Sequence, residues 1–177
     1  MGQMKTVRVL GLGNVLGGDD ALGPFVLKVL DASYDFPPEV CLVEIGTPGL
    51  ALSSFLPGGE VLILVDAVRG EGQPGELLTY RGEEVLKRIS RERIESHEPA
   101  LEHALFAANL QGGSPVDILL IGVVPLRVEA GIGLSAPVRA AADRAVVAVI
   151  GELARLGIEV KPKSVPDEPD LWWERAP

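Results

Sequence analysis

The sequence has one cysteine, two histidines and few aromatic residues, only 5% of 177. A single thiol excludes an intrachain disulfide and any Cys-rich zinc or iron–sulfur site. Cys41 lies inside the apolar run Val40-Cys41-Leu42-Val43 and reads as an inert core thiol. No apolar run approaches the roughly 18 residues of a membrane span. The opening stretch MGQMKTVRV enters a strand-like segment without a signal-peptide shape, so a cytoplasmic domain with no membrane partner is expected. Basic residues are the minority, 16 against 25 acidic ones, for a net charge of −9. That balance argues against nucleic acid, which needs clustered Lys and Arg. No G-x-S-x-G occurs, so no nucleophile elbow is visible. No internal repeat is apparent.

What is present is an alternation of two kinds of apolar segment. Val7–Leu12, Val40–Ile45, Val61–Val65 and Val116–Val124 read as strands buried on both faces, and the more polar Gly75–Arg81 suits an edge strand. Between them, Pro24–Leu30, Pro99–Leu110 and Pro137–Leu156 carry their apolar residues at helical spacing. The last of these opens on Pro137 and closes at Gly157. Alternating strands and helices imply an α/β fold with helices on both faces of a largely parallel sheet. Residues 1–157 form one domain on this reading, and 158–177 a Pro-rich, acidic tail that Trp172 and Trp173 could pin to the body. A monomer is the default.

In such a sheet, ligands gather at the carboxyl ends of the strands. The first strand runs into Gly11-Leu12-Gly13-Asn14-Val15-Leu16-Gly17-Gly18-Asp19-Asp20. Strand, glycine turn and helix together suit a dinucleotide, with Glu44 on a ribose hydroxyl, and this makes a nucleotide-dependent oxidoreductase one candidate. The third glycine of that fingerprint would fall on Leu16, however, and two carboxylates repel a pyrophosphate and attract a cation. A helix cap on one aspartate is the plainer alternative.

Asp66 follows the apolar strand Val61–Val65 directly and stands at the same rim, as a ligand, a general base or an acceptor for its own loop. His97 and His103 are six apart, whereas H-E-x-x-H needs four, so they do not share a helix face. His97 precedes Pro99 and belongs to a loop or helix entry, where a neutral ring able to bind metal is favoured. His103 is assigned no role. Asp20, Asp66 and His97 would come from three separate loops. Two oxygens and one nitrogen suit nickel or zinc, with room left for water or a substrate-borne ligand.

Several landmarks occur in order: Gly11-Leu12-Gly13-Asn14 with Asp19-Asp20, Gly46-Thr47-Pro48-Gly49, Leu64-Val65-Asp66-Ala67, Ser96-His97, Ile121-Gly122-Val123-Val124-Pro125 and Gly133-Leu134-Ser135. In this order and spacing the chain resembles the hydrogenase maturation proteases, over roughly residues 6 to 157. These endopeptidases trim the C-terminus of the large subunit of nickel–iron hydrogenases. The resemblance implies a three-layer α/β fold with a twisted, mainly parallel five-stranded sheet. It also implies that Asp20, in preference to Asp19, acts with Asp66 and His97 as metal-contacting and catalytic residues. The nickel they meet would be carried by the precursor, with no permanently bound metal, though zinc or another divalent ion could enter the site. Gly46, Thr47 and Gly49 would contact the substrate backbone, unless they merely form a tight turn. A non-catalytic nickel-handling assembly module remains the other alternative.

Overall fold

The computed structural model describes residues 6–46, 60–85, 87 and 117–175. Five strands form the main sheet: β1 (Val7–Leu12), β3 (Val40–Gly46), β4 (Val61–Ala67), β5 (Leu77–Arg81) and β6 (Asp117–Val123), in spatial order β3-β1-β4-β6-β5. All neighbours pair in parallel except β5, which runs antiparallel along β6 as the edge expected of it.

The three inner strands are apolar on both faces. Val7, Val9, Val61, Ile63, Val65, Leu119, Ile121 and Val123 face one core cluster. The residues between them, Leu10, Leu12, Leu62, Leu64, Ile118 and Leu120, face another. Apart from Arg8, which pairs with Glu60, and Asp66 and Asp117 near strand ends, the alternating side chains are apolar and bury both faces, and each fully buried one contributes about 1.5–3 kcal/mol. β3 departs from this pattern. It is a sheet edge, only Val40 is buried, and Cys41 is exposed. The expectation of a core thiol is therefore wrong. A run of apolar residues does not distinguish an edge strand from a central one.

Two long helices cover the first face. α1 (Leu22–Ser33) carries Pro24 in its first turn and buries Leu22, Phe25, Val26, Leu27 and Leu30. α2 (Ala136–Arg155) has Pro137 at its start and Gly157, with φ of 80°, just past its end, and it buries Val138, Ala141, Ala142, Ala145, Val149 and Leu153. On the opposite face Leu10, Leu62 and Leu64 are fully shielded, and Val85, beyond β5, joins their cluster. The expected helix Pro99–Leu110 lies outside the described residues. The tail packs on the body: β7 (Lys161–Pro162) pairs antiparallel with β2 (Tyr34–Asp35), and Trp173 is buried in the first core. No helix among the described residues is long and apolar enough to cross a membrane.

Candidate active site

Strand β1 lies between β3 and β4, so the chain leaves β1 to form one neighbour and later crosses to form the other. That reversal opens a crevice at the carboxyl ends of these strands. Three expected residues stand along it. Asp66 follows Val65, which pairs with Gly11 of β1. Gly46 ends β3, and its carbonyl accepts a 3.0 Å hydrogen bond from Gly13 N–H. Asp20 belongs to a 3-10 turn, Asp19–Ala21, that packs against β4. Its main chain lies directly over Gly13: a Cβ there would stand 1.8 Å from the Asp20 carbonyl oxygen, and Gly13 has φ of +122°. Only glycine fits that position. The turn enters α1, whose Gly23 lets the helix rest on the backbones of Leu12 and Val65. Both carboxylates, Asp20 and Asp66, are partly exposed.

The adjacent aspartates differ sharply. Asp19 is fully buried. Its Oδ2 accepts hydrogen bonds from Leu126 N–H (2.9 Å), Arg127 N–H (3.0 Å) and Ser135 Oγ (2.8 Å), and Oδ1 accepts one from Ser135 N–H (2.6 Å). Four donors converge on this buried carboxylate, three on Oδ2 and one on Oδ1, and they offset the cost of taking it out of water. Asp20 is half-buried, and its Oδ2 accepts one bond, 2.7 Å, from Asn14 N–H. Neither side chain caps a helix. The capping alternative fails because the nearest donors to these carboxylates are loop amides, not the first turn of α1. The use of Asp19 to hold the distant 124–135 loop was not legible in advance. Its one sequence signal is Ser135, recognised only as part of a landmark ahead of the last helix.

The dinucleotide alternative meets a physical obstacle. The amides that would cradle a phosphate are already engaged: Asn14 N–H by Asp20, Leu16 N–H by Asn14 Oδ1 (3.0 Å) and Gly17 N–H by the Asn14 carbonyl (2.9 Å). Glu44 is paired with Lys28 at 2.7 Å, and this contact holds the lysine pKa above its ordinary value despite some burial. Thr47, Gly49, His97 and His103 lie outside the described residues. Among the described residues no three His, Cys, Asp or Glu side chains are grouped as a metal site. The trio of the sequence reading requires His97, so Asp20 and Asp66 are the part of it the structure brings to one rim.

Fold and rim together define an α/β enzyme whose carboxylates stand at a topological switch point. The sequence profile of the hydrogenase maturation protease family (HycI) matches residues 24–152. The hydrogenase 2 maturation protease of Escherichia coli (strain K12) is 32% identical over 158 residues, covering 89% of this chain and 96% of that one. The hydrogenase expression/formation protein HupM of Azotobacter chroococcum is 32% identical over 163 residues, 92% of this chain and 78% of that one. Among solved structures, the hydrogenase maturating endopeptidase HybD from E. coli aligns with a TM-score of 0.84 at 33% identity, over 89% of this chain and 98% of its own. A hydrogenase 2 maturation peptidase from a thaumarchaeon aligns with a TM-score of 0.65 at 35% identity, over 85% of this chain and 99% of its own.

The chain belongs to the hydrogenase maturation protease family. It is a hydrolase of the peptide bond, an endopeptidase that acts in the maturation of hydrogenase large subunits.

Proposed function

We propose that this protein removes the C-terminal extension of a nickel–iron hydrogenase large-subunit precursor and recognises the nickel already installed in that substrate. The observation that supports this most is the arrival of Asp20 and Asp66 at the carboxyl ends of adjacent strands, beside the switch-point crevice. With His97 they would offer two oxygens and one nitrogen, a donor set suited to a divalent ion of nickel's kind. A precursor without metal presents thiolates to these carboxylates, and like charges repel. A cation bridging the two proteins reverses the sign of the interaction. Selection for the loaded substrate then needs no other sensor.

The reaction is hydrolysis. Water, activated by a carboxylate or by the substrate's metal, attacks the scissile carbonyl carbon. The new C–O bond forms, the C–N bond breaks, and the water proton ends on the released amine, with no acyl-enzyme. Gly46, Thr47 and Gly49 would hold the substrate backbone along the same rim. The protein acts as a cytoplasmic monomer, without a metal of its own.

The test is the intact mass of nickel-loaded and nickel-free precursor after incubation with the protein. Loss of a C-terminal peptide from the loaded form alone is expected. Equal cutting of both forms would remove nickel recognition, and cutting of neither would remove the protease assignment.

A further inference from the structure

The 124–135 loop between β6 and α2 is held in a way its exposure does not explain. Residues 126–132 are all exposed, yet the loop is fastened to the β1–α1 turn at several points. Four hydrogen bonds reach the Asp19 carboxylate. Three more join main chains: Gly18 N–H to the Gly131 carbonyl (3.0 Å), Gly131 N–H to the Leu16 carbonyl (2.9 Å) and Asp19 N–H to the Arg127 carbonyl (3.2 Å). Surface loops are ordinarily mobile and polar. This pinned pair instead turns Leu16, Leu126, Val128 and Ile132 to solvent, at 53%, 56%, 44% and 62% exposure. Four large apolar side chains are thus displayed on two loops bridged at Gly17–Gly131 and Gly18–Val128, one of which carries Asp20, and apolar groups held out in this way suit a partner.

We infer that Asp19 is a positioning residue for the reaction. Its buried carboxylate holds the 124–135 loop as a docking arm, on which Leu126, Val128 and Ile132, with Leu16 opposite, bind an apolar stretch of the precursor beside the cut. The occupant is the substrate polypeptide because the arm is continuous with the rim that bears Asp20: the residue that fastens it is the covalent neighbour of the carboxylate that would meet the substrate's metal. Leu134 packs against the first core, but the exposed stretch 126–132 is held by the hydrogen bonds to the β1–α1 turn, of which the Asp19 carboxylate, with Ser135, accounts for four of seven. This inference rests on the protease reading above.

Binding and cleavage are measured separately for that reason. Fluorescence anisotropy of labelled, nickel-loaded precursor gives affinity, and steady-state cleavage gives kcat and KM. The variants are Leu126→Ser combined with Ile132→Ser, Ser135→Ala, Ser135→Thr and Asp19→Asn, with Val165→Ser as an exposed apolar control on the tail. The doubly substituted arm is expected to weaken binding and raise KM by about tenfold or more, with kcat within about twofold. Ser135→Ala should raise KM several-fold, and Ser135→Thr, which keeps the hydroxyl, should restore it. Asp19→Asn should act like Ser135→Ala, more strongly. If Asp19→Asn does not fold, the arm and Ser135 variants decide the matter. Wild-type affinity and KM in the doubly substituted arm would overturn the inference, as would a change in self-association with no change in precursor binding. Binding that depends on the arm without any wild-type cleavage would uphold the arm and overturn the protease reading. Cleavage indifferent to the arm would do the reverse.

Discussion

Arg81 and Glu152 meet through two parallel hydrogen bonds, Nη1 to Oε1 at 2.9 Å and Nη2 to Oε2 at 2.7 Å. Arg155 reaches the same carboxylate, and Asp117 lies within ion-pair distance of both arginines. The cluster joins α2 to β5 and the amino end of β6, at the end of the sheet away from the active rim. Burial opposes the charge on Glu152, but the hydrogen bonds from Arg81 and Arg155 outweigh it and lower its pKa to about 2. A carboxylate whose folded pKa is depressed contributes stability above its unfolded pKa, near 4.5, and loses that contribution as pH falls toward 2. Glu152→Gln should therefore cost about 1–3 kcal/mol at pH 7, toward the lower end because both arginines are partly exposed. Urea unfolding at pH 7 and near pH 2.5 checks this, and the gap between wild type and variant should narrow in acid.

Asp19 and Asp20 are neighbours whose substitution should have opposite signatures. Asp19→Ala leaves the buried Ser135 N–H and the part-buried amides of Leu126 and Arg127 without their acceptor and should cost about 2–4 kcal/mol. Asp20→Asn keeps an oxygen able to accept from Asn14 N–H, so stability should stay within about 1 kcal/mol while processing is lost. Urea midpoints and a precursor-cleavage assay on the two purified variants separate these roles.

Gly13→Ala tests the packing that sets the rim. A methyl group would collide with the Asp20 carbonyl at a φ that L side chains rarely adopt. The turn must move, and a loss of about 2–4 kcal/mol is expected, with processing reduced even where the variant remains folded. Thermal unfolding together with cleavage by the folded fraction checks both parts.

Much of the fold was readable because both of its periodicities are clean. Val61-Leu62-Ile63-Leu64-Val65 carries no polar residue and is a central strand, and the stripe from Val138 to Leu153 is one face of α2. Asp66 is legible as a rim residue because it directly follows five apolar strand residues, whereas the switch point is set by the spatial order of the strands. Other features depend on contacts between residues far apart in sequence. Nothing around Asp19 reveals that its partners lie on the 124–135 loop, beginning at Leu126 and Arg127 and ending at Ser135, 116 positions away. The apolar run around Cys41 misleads for a related reason: whether β3 has one neighbour or two is settled by strand order, not by its own composition.

The exposed thiol gives a direct check of that correction. Cys41 in the native protein should react with a disulfide reagent at a rate close to that of the urea-unfolded chain, whereas a core thiol would react only after unfolding. Cys41→Ser should change stability by no more than about 0.5 kcal/mol.

The central claim is that Asp20, Asp66 and His97 act together on the substrate's metal. The most direct measurement is the intact mass of nickel-loaded precursor after incubation with folded Asp20→Asn, Asp66→Asn and His97→Ala proteins, each beside wild type. The account predicts that wild type releases a C-terminal peptide and that each variant leaves the precursor whole. Release at the wild-type rate by any of the three variants would contradict it.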